Sequence, residues 1–340
     1  MRICSFLPSA TEILFAIGAG PSVAAVTFEC DFPAEARTRA HVVFSHLPSG
    51  LTPAEIDAVV SAEGAKGKSL YFVDLPALTA LAPDLIILQD LCRVCAIDSP
   101  TLARDMAHLP SQPRIISLNA HSLDGVLAEI ELLGDVTGHT AEALALTDSL
   151  RARIEAVRAK TSVILSEART GAPGERSLLA GVDSAESKDP EGLNSTMKPV
   201  PFSREPAKVL CLEWLDPPFQ GGHWIPEMVT LAGGIPLLAT SGEKSRRITW
   251  DEILASAPDI IVVMPCGYHL AETITQFRAL NLPPAWATLP AIRNGRLYAV
   301  DGTAYFSRPG PRLVTGLEIL HAILRRDDFA HLPQNSVARL

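Results

Sequence analysis

One phrase occurs twice in this chain. Ala80-Leu81-Ala82-Pro83-Asp84 runs into the apolar stretch Leu85-Ile86-Ile87-Leu88, and Ala255-Ser256-Ala257-Pro258-Asp259 runs likewise into Ile260-Ile261-Val262-Val263. Each reads as a helix stopped ahead of a proline and followed by a buried strand. Upstream of each lies a strand with a cysteine inside it, Ile3-Cys4-Ser5-Phe6 and Val209-Leu210-Cys211-Leu212. A turn rich in glycine and proline follows the next helix in both places, at Ala19-Gly20-Pro21 and Ala232-Gly233-Gly234-Ile235-Pro236. Strand, helix, turn, strand, helix and Pro-Asp strand therefore repeat in order. Two similar α/β lobes, each with a mainly parallel sheet, explain this most economically.

The boundaries follow from what lies between the repeats. Residues 1–138 make the N-terminal lobe, 139–168 an interlobe helix, 169–206 a flexible insertion and 207–340 the C-terminal lobe. Leu144, Leu146, Leu150, Ile154 and Val157 recur at helical spacing with no proline or glycine among them, so the helix is a stiff spacer that predicts little hinge motion. The stretch from Gly171 to Pro206 is rich in Gly, Ser, Pro, Glu and Lys and reads as a surface insertion. At the N-terminus a strand at Arg2–Leu7 leads into a helix from Ser9 to Ile17. Ser9 as N-cap and Glu12 at the third helical position would form a capping box.

Composition narrows the function classes. A net charge of −9 excludes a general nucleic-acid or anionic-membrane binder, which needs a cationic footprint. Six cysteines in 340 residues are too few for a disulfide scaffold. The first twenty residues lack an unbroken apolar block and no segment reaches the ~18 apolar residues of a membrane span. The expectation is a cytoplasmic monomer without membrane insertion, or a periplasmic protein if an upstream start is missing. Nucleotide-hydrolysis loops, Gly-x-Ser-x-Gly elbows and His-Glu-x-x-His helices are all absent from the sequence.

In open parallel sheets ligands sit beyond the carboxyl ends of the strands. The loops expected there carry the chain's unusual residues. Glu29, Asp31, Asp90 and Glu213 are carboxylates at strand ends, read either as polar ligand contacts or as solvated loop acids. Arg308 and Arg312 suit a ligand carboxylate or phosphate, whereas Arg246 and Arg247 read as a solvated loop. Cys92-Arg93-Val94-Cys95 is a lone C-x-x-C, open to zinc or iron binding, dithiol chemistry or simple packing. With Cys30 and His223 it would complete a metal set of three thiolates and one imidazole. His223 follows Gly221-Gly222 and reads as a metal ligand, a hydrogen-bonding cleft residue or a plain helix-start residue. Pro226 and Glu227 need no more than a helix start. Cys4, Cys211 and Cys266 read as packing, and His121, His139, His321 and His331 as structural or exposed.

Several phrases resemble the class III substrate-binding proteins of ABC transporters, the cobalamin- and siderophore-binding family. Arg2-Ile3-Cys4-Ser5-Phe6-Leu7-Pro8-Ser9-Ala10-Thr11-Glu12 is similar to that family's opening strand and helix. Cys30-Asp31-Phe32-Pro33, the two Pro-Asp strands, Asn294-Gly295-Arg296-Leu297-Tyr298-Ala299-Val300 and Ser307-Arg308-Pro309-Gly310-Pro311-Arg312 continue the resemblance along nearly the whole chain. Leu91-Cys92-Arg93-Val94-Cys95-Ala96 and Gly222-His223-Trp224-Ile225-Pro226-Glu227-Met228 are similar to phrases of signal-less members called cobalamin-binding proteins.

The resemblance implies two Rossmann-like lobes on a rigid helix, with a cobalamin-like corrinoid or a chelated metal held between them as a small-molecule ligand. It also implies aromatic walls, for which Phe28, Phe32, Trp214, Trp224, Trp250, Tyr268 and Phe306 are candidates, with Trp250 at the family's cleft tryptophan. Glu213, His223 and Arg308 would orient the ligand, with His223 as a possible axial ligand to cobalt. An ABC permease would be the partner, docking on surface carboxylates such as Asp105 and Glu252. A metal- or redox-dependent enzyme using the Cys/His set is the alternative on the same scaffold.

Overall fold

A computed structural model of the chain describes residues 1–66, 69–89, 109–170 and 205–340, the last eight of the third stretch by backbone alone. The described strands form two sheets of six strands, one per lobe. The first runs β1 (Ile3–Ser5), β2 (Val23–Thr27), β3 (Ala40–Ser45), β4 (Tyr71–Val73), β5 (Leu85–Gln89) and β6 (Arg114–Leu118) in sequence, and β4-β3-β2-β1-β5-β6 in space. The second contains β7 (Lys208–Leu215), β8 (Pro218–Gln220), β9 (Ile235–Pro236), β10 (Ile260–Val263), β11 (Leu297–Val300) and β12 (Val337–Arg339), in the order β12-β11-β10-β7-β8 with β9 also on β7.

The repeated phrase has a physical cause. Both lobes share the parallel core β2-β1-β5-β6 and β9-β7-β10-β11, with Ile3 opposite Leu85 and Val209 opposite Ile260. The helix before each Pro-Asp strand, Leu75–Leu81 in one lobe and Trp250–Ser256 in the other, ends on an alanine in the left-handed region. Ala82 has φ 43° and Ala257 φ 44°. The aspartate then ties its strand to the start of the lobe's first strand. Asp84 donates its N–H to the Arg2 carbonyl and accepts the Arg2 N–H at 2.6 Å. Asp259 does the same with Lys208, accepting at 2.9 Å. The sheets are mixed at their edges, where β3–β4, β7–β8 and β11–β12 run antiparallel.

The helices are α1 (Pro8–Ala16), α2 (Pro53–Ala65), α3 (Leu75–Leu81), α4 (Leu123–Thr137), the long α5 (Thr140–Thr170), α6 (Ile225–Leu231), α7 (Trp250–Ser256), α8 (Leu270–Arg278), α9 (Pro290–Arg293), α10 (Gly302–Tyr305) and α11 (Leu313–Arg325). The long helix is gripped by both lobes. On the N-terminal side Arg151 reaches Glu131 of α4 at 2.7 Å, and α4 approaches so closely at Gly134 that a Cβ there would stand 2.3 Å from the Ala143 Cβ. On the other side Arg153 makes a two-pronged pair with Glu318 of α11 at 2.9 and 2.7 Å, and Thr161 donates to the Leu231 carbonyl at 3.0 Å. One apolar cluster runs without a break from Ile3 and Leu14 through Leu150, Ile154 and Val157 to Met228 and Leu317. The core therefore crosses from lobe to lobe, and the helix that carries it has packing on both flanks. The insertion of 169–206 lies almost wholly outside the described residues.

Candidate functional site: the cleft between the lobes

The α1 start supplies the cleft floor. Pro8 occupies the first helical turn and Leu7 is the N-cap, with no side-chain cap. The expected Ser9–Glu12 capping box is therefore not formed, because proline begins the helix one residue early and leaves Ser9 buried inside it. Glu12, with its side chain only 2% exposed, turns instead to the C-terminal lobe. It accepts from Arg308 at 3.1 Å and from both Nε and Nη2 of Arg312, at 2.8 and 2.5 Å. The Arg308 guanidinium also donates to the Asp31 carboxylate and, at 2.9 Å, to the Glu29 carbonyl. His269 bridges the same line, with Nδ1 2.8 Å from Asp301 and Nε2 3.2 Å from Asp31.

Electrostatics agree with this geometry. Burial works against the Asp31 carboxylate, but the Arg308 hydrogen bond and charge outweigh it and lower its pKa. Burial likewise opposes the protonated His269 ring, and the bonds and charges of Asp301 and Asp31 overcome it and raise the pKa. Arg308 and Arg312, read from the sequence as receivers of a ligand carboxylate, are here paired with the protein's own acids Glu12 and Asp31. Arg247 is exposed on its loop, as read, and from there also bonds Asp57 of α2 across the lobes at 3.0 and 2.8 Å.

Above the floor stand aromatic side chains at strand ends. Phe28 and Phe32 follow β2 and are 41% and 46% exposed, unusual for large apolar groups. Phe28 lies 6.4 Å from the Tyr71 ring, and Arg312 sits 4.2 Å over the Phe32 ring. In the other lobe Trp214, near the end of β7, and Tyr268, beyond β10, stack with centroids 5.7 Å apart and planes at 28°. The Trp214 indole N–H reaches the Pro53 carbonyl of the first lobe at 3.3 Å, so this stack stands at the line between the lobes.

Three expected wall residues are placed elsewhere. Trp224 and Phe306 are 5% and 2% exposed and bound to each other, indole N–H to carbonyl at 2.8 Å, within the continuous core. Trp250 opens α7 and packs edge-on against Trp286, at 5.7 Å, on the second lobe's own apolar cluster. Large apolar rings on helix starts next to a sheet are drawn into its core, and a tryptophan count does not separate the two fates.

A third group sits where β6 and β8 end. The Glu213 carboxylate accepts the Gly222 N–H at 3.1 Å and ties the end of β7 to the turn carrying His223. That turn is tight: a Cβ on Gly222 would lie 2.2 Å from the Ser245 nitrogen. His223 itself has φ 53°, a left-handed conformation that histidine tolerates better than most residues. Its Nδ1 lies 3.1 Å from Nδ1 of His121, which sits beyond β6 in the first lobe. Burial chiefly, then the His121 and Lys244 charges, lower the His223 pKa. Glu227 also reaches across the lobes and accepts the Leu123 N–H at 3.0 Å, so it does more than start a helix. Glu129, its pKa raised to about 7 by burial, accepts the N–H groups of Asn119 and Ala120 and braces the loop before His121.

Cys30 does not join His223. It is 2% exposed and packs against Thr11 Oγ1 at 3.1 Å, and burial pushes its thiol pKa up, the opposite of a thiolate ligand. Among the described residues no group of three or more His, Cys, Asp and Glu is placed to hold a metal ion. Asp90, Cys92, Cys95 and Asp105 lie outside the described residues. Glu252 closes a capping box with Thr249 and pairs with Arg246 at 3.0 Å on the surface. Sequence reasoning missed Glu12, His121 and His269 as cleft residues. For the two histidines the strand-end rule was the available signal, since each lies just beyond a strand.

Two α/β lobes with parallel cores, joined by one long helix and facing each other at their strand ends, define the class III periplasmic-binding-protein fold. The comparisons agree. Residues 200–304 match the family model described as periplasmic binding protein. The uncharacterized ABC transporter substrate-binding lipoprotein YvrC of Bacillus subtilis is 22% identical over 329 residues, which is 96% of this chain and 81% of that protein. The periplasmic vitamin B12 binding protein BtuF of Vibrio cholerae superposes with a TM-score of 0.63 at 18% identity, covering 96% of both chains. A periplasmic heme binding protein from Pseudomonas aeruginosa gives 0.64 at 18% identity, covering 95% of this chain and 92% of that one. The resemblance to class III substrate-binding proteins therefore holds in fold over nearly the whole chain. These three proteins are described as substrate-binding, vitamin B12 binding and heme binding proteins. No helix among the described residues is long and apolar enough to cross a membrane. The relatives are named as a lipoprotein and as periplasmic proteins, which lends nothing to the cytoplasmic expectation.

Proposed function

We propose that this chain is the substrate-binding component of an ABC-type uptake system, and that its ligand is a flat metal macrocycle, a corrinoid before other tetrapyrroles. The observation that carries this reading is the pairing of exposed Phe28 and Phe32 on one lobe with the Trp214–Tyr268 stack on the other. Ring faces on both sides of a cleft suit a broad, flat, apolar ligand, which gains from burial and from ring stacking at once. The vitamin B12 and heme ligands named for two similar structures belong to the same chemical class. The lobe-bridging core and the grip on α5 favour a binding protein that closes modestly rather than by a wide hinge. An ABC permease is the partner in this reading.

The test is a titration of the purified chain with cyanocobalamin, hemin and a ferric siderophore, followed by difference absorbance and calorimetry. One equivalent of a macrocycle is expected to bind, with the siderophore much weaker. Binding of the siderophore alone, or of none of the three, would contradict the proposal.

A further inference from the structure

Two imidazoles from opposite lobes meet in a contact that involves neither the aromatic walls nor the Glu12–Arg308 floor. His121 lies between the end of β6 and the Ser122 cap of α4, and His223 lies between β8 and α6. Their Nδ1 atoms are 3.1 Å apart, while the ring centroids are 5.2 Å apart with planes at 41°. The nitrogens are nearer than the ring centres, so the rings present nitrogen edges to each other rather than faces. At metal–nitrogen bonds of about 2.0–2.1 Å, a 3.1 Å span corresponds to an angle at the metal near ~100°. That lies between the octahedral and tetrahedral values.

The two rings are held in place. The Gly222–His223 turn is pinned by the His223 N–H to the Glu243 carbonyl, the Gly242 N–H to the His223 carbonyl and the Glu213 carboxylate. The His121 loop is braced by Glu129. Glu227 accepts the Leu123 N–H and Glu213 accepts the Gly222 N–H, so each fixes the backbone next to one of the two rings.

We infer that His121 and His223 form a binding site for one divalent transition-metal ion of imidazole preference, such as Zn²⁺, Ni²⁺ or Co²⁺, which links the two lobes, with water filling the remaining positions. The ion would act as a clasp: it binds both lobes at once and so favours their present approach over any more open one. This site uses neither the aromatic walls nor the Cys92–Cys95 pair, and it gives His223 a role other than orienting the macrocycle.

The experiment is calorimetric titration of the full-length chain with ZnCl₂ and, by visible absorbance, with CoCl₂. It is done in a Cys92→Ser/Cys95→Ser background so that thiolate sites are silent. His121→Ala and His223→Asn are compared in that background, asparagine being chosen because it accepts the left-handed backbone, and circular dichroism checks that each variant is folded. One equivalent is expected to bind the parent, with a blue-shifted imidazole-type cobalt spectrum and a rise in Tm, and each histidine variant should weaken binding at least roughly tenfold. No saturable binding to the parent would overturn the inference and leave the pair as a hydrogen bond. Binding that survives unchanged in both folded variants would overturn it as well, by placing the ion elsewhere. The macrocycle titration is unaffected by either outcome.

Discussion

The floor and the walls of one cleft are built on opposite principles. On the floor Glu12, Arg308, Arg312 and Asp31 satisfy one another, leaving Arg308 11% and Glu12 2% exposed. On the walls Phe28 and Phe32 remain 41% and 46% exposed although they are large and apolar. A buried cluster in which acids and guanidiniums pair with one another has less to offer a ligand than an aromatic ring that stays exposed. Charge at the strand ends therefore marks where the lobes are held, and aromatic exposure marks where a ligand would be received.

Breaking the floor should have the largest effect. Glu12→Gln leaves the buried Arg312 guanidinium without its carboxylate and Arg308 with Asp31 alone, and is expected to cost about 3–5 kcal/mol of folding stability, read from urea midpoints. If the floor bound ligand instead, the loss would appear mainly in affinity. Next in size is Trp214→Ala, which removes half of the Trp214–Tyr268 stack. It should weaken macrocycle binding by about tenfold, given ~0.5–1.5 kcal/mol for a stacked pair beyond area burial.

A smaller effect should come from His269. Its folded pKa is raised above the unfolded value of about 6.5, so its bridge stabilises the protein fully below that value and is lost as pH rises through the folded pKa. Half of its side chain is exposed, which limits the gain. The Tm difference between wild type and His269→Gln should therefore shrink as pH goes from 5.5 toward 8. Smallest should be Arg247→Gln, which breaks an interlobe pair with a 54% exposed arginine and is expected to cost ~0–1 kcal/mol, with most of it gone in high salt.

The doubled Pro-Asp phrase made the two-lobe architecture legible, because it encodes a backbone clamp that both sheets need. The long helix was equally legible from Leu150, Ile154 and Val157. The site was legible in part. Exposed Phe28 and Phe32 and the Tyr268 position lie on strand-end loops and Trp214 near the end of β7, whereas Trp224, Phe306 and Trp250 carry the same composition and went into packing. What hid most was pairing over long range. Glu12 and Arg312 are 300 residues apart and His121 and His223 are 102 apart, and no local pattern links such partners. Ser9 and Glu12 even match a capping box, a local rule that lost to a buried ion pair between lobes.

The most direct measurement is a calorimetric titration of cyanocobalamin into wild type and into Phe28→Ala/Trp214→Ala, with urea unfolding of Phe28→Ala alongside. The account predicts one tight equivalent for wild type and a loss of at least about tenfold in the double variant. It also predicts that Phe28→Ala stays within about 0.5 kcal/mol of wild-type stability, as a surface position should. Undiminished affinity in the double variant, or a Phe28→Ala chain that unfolds as readily as Glu12→Gln, would contradict it.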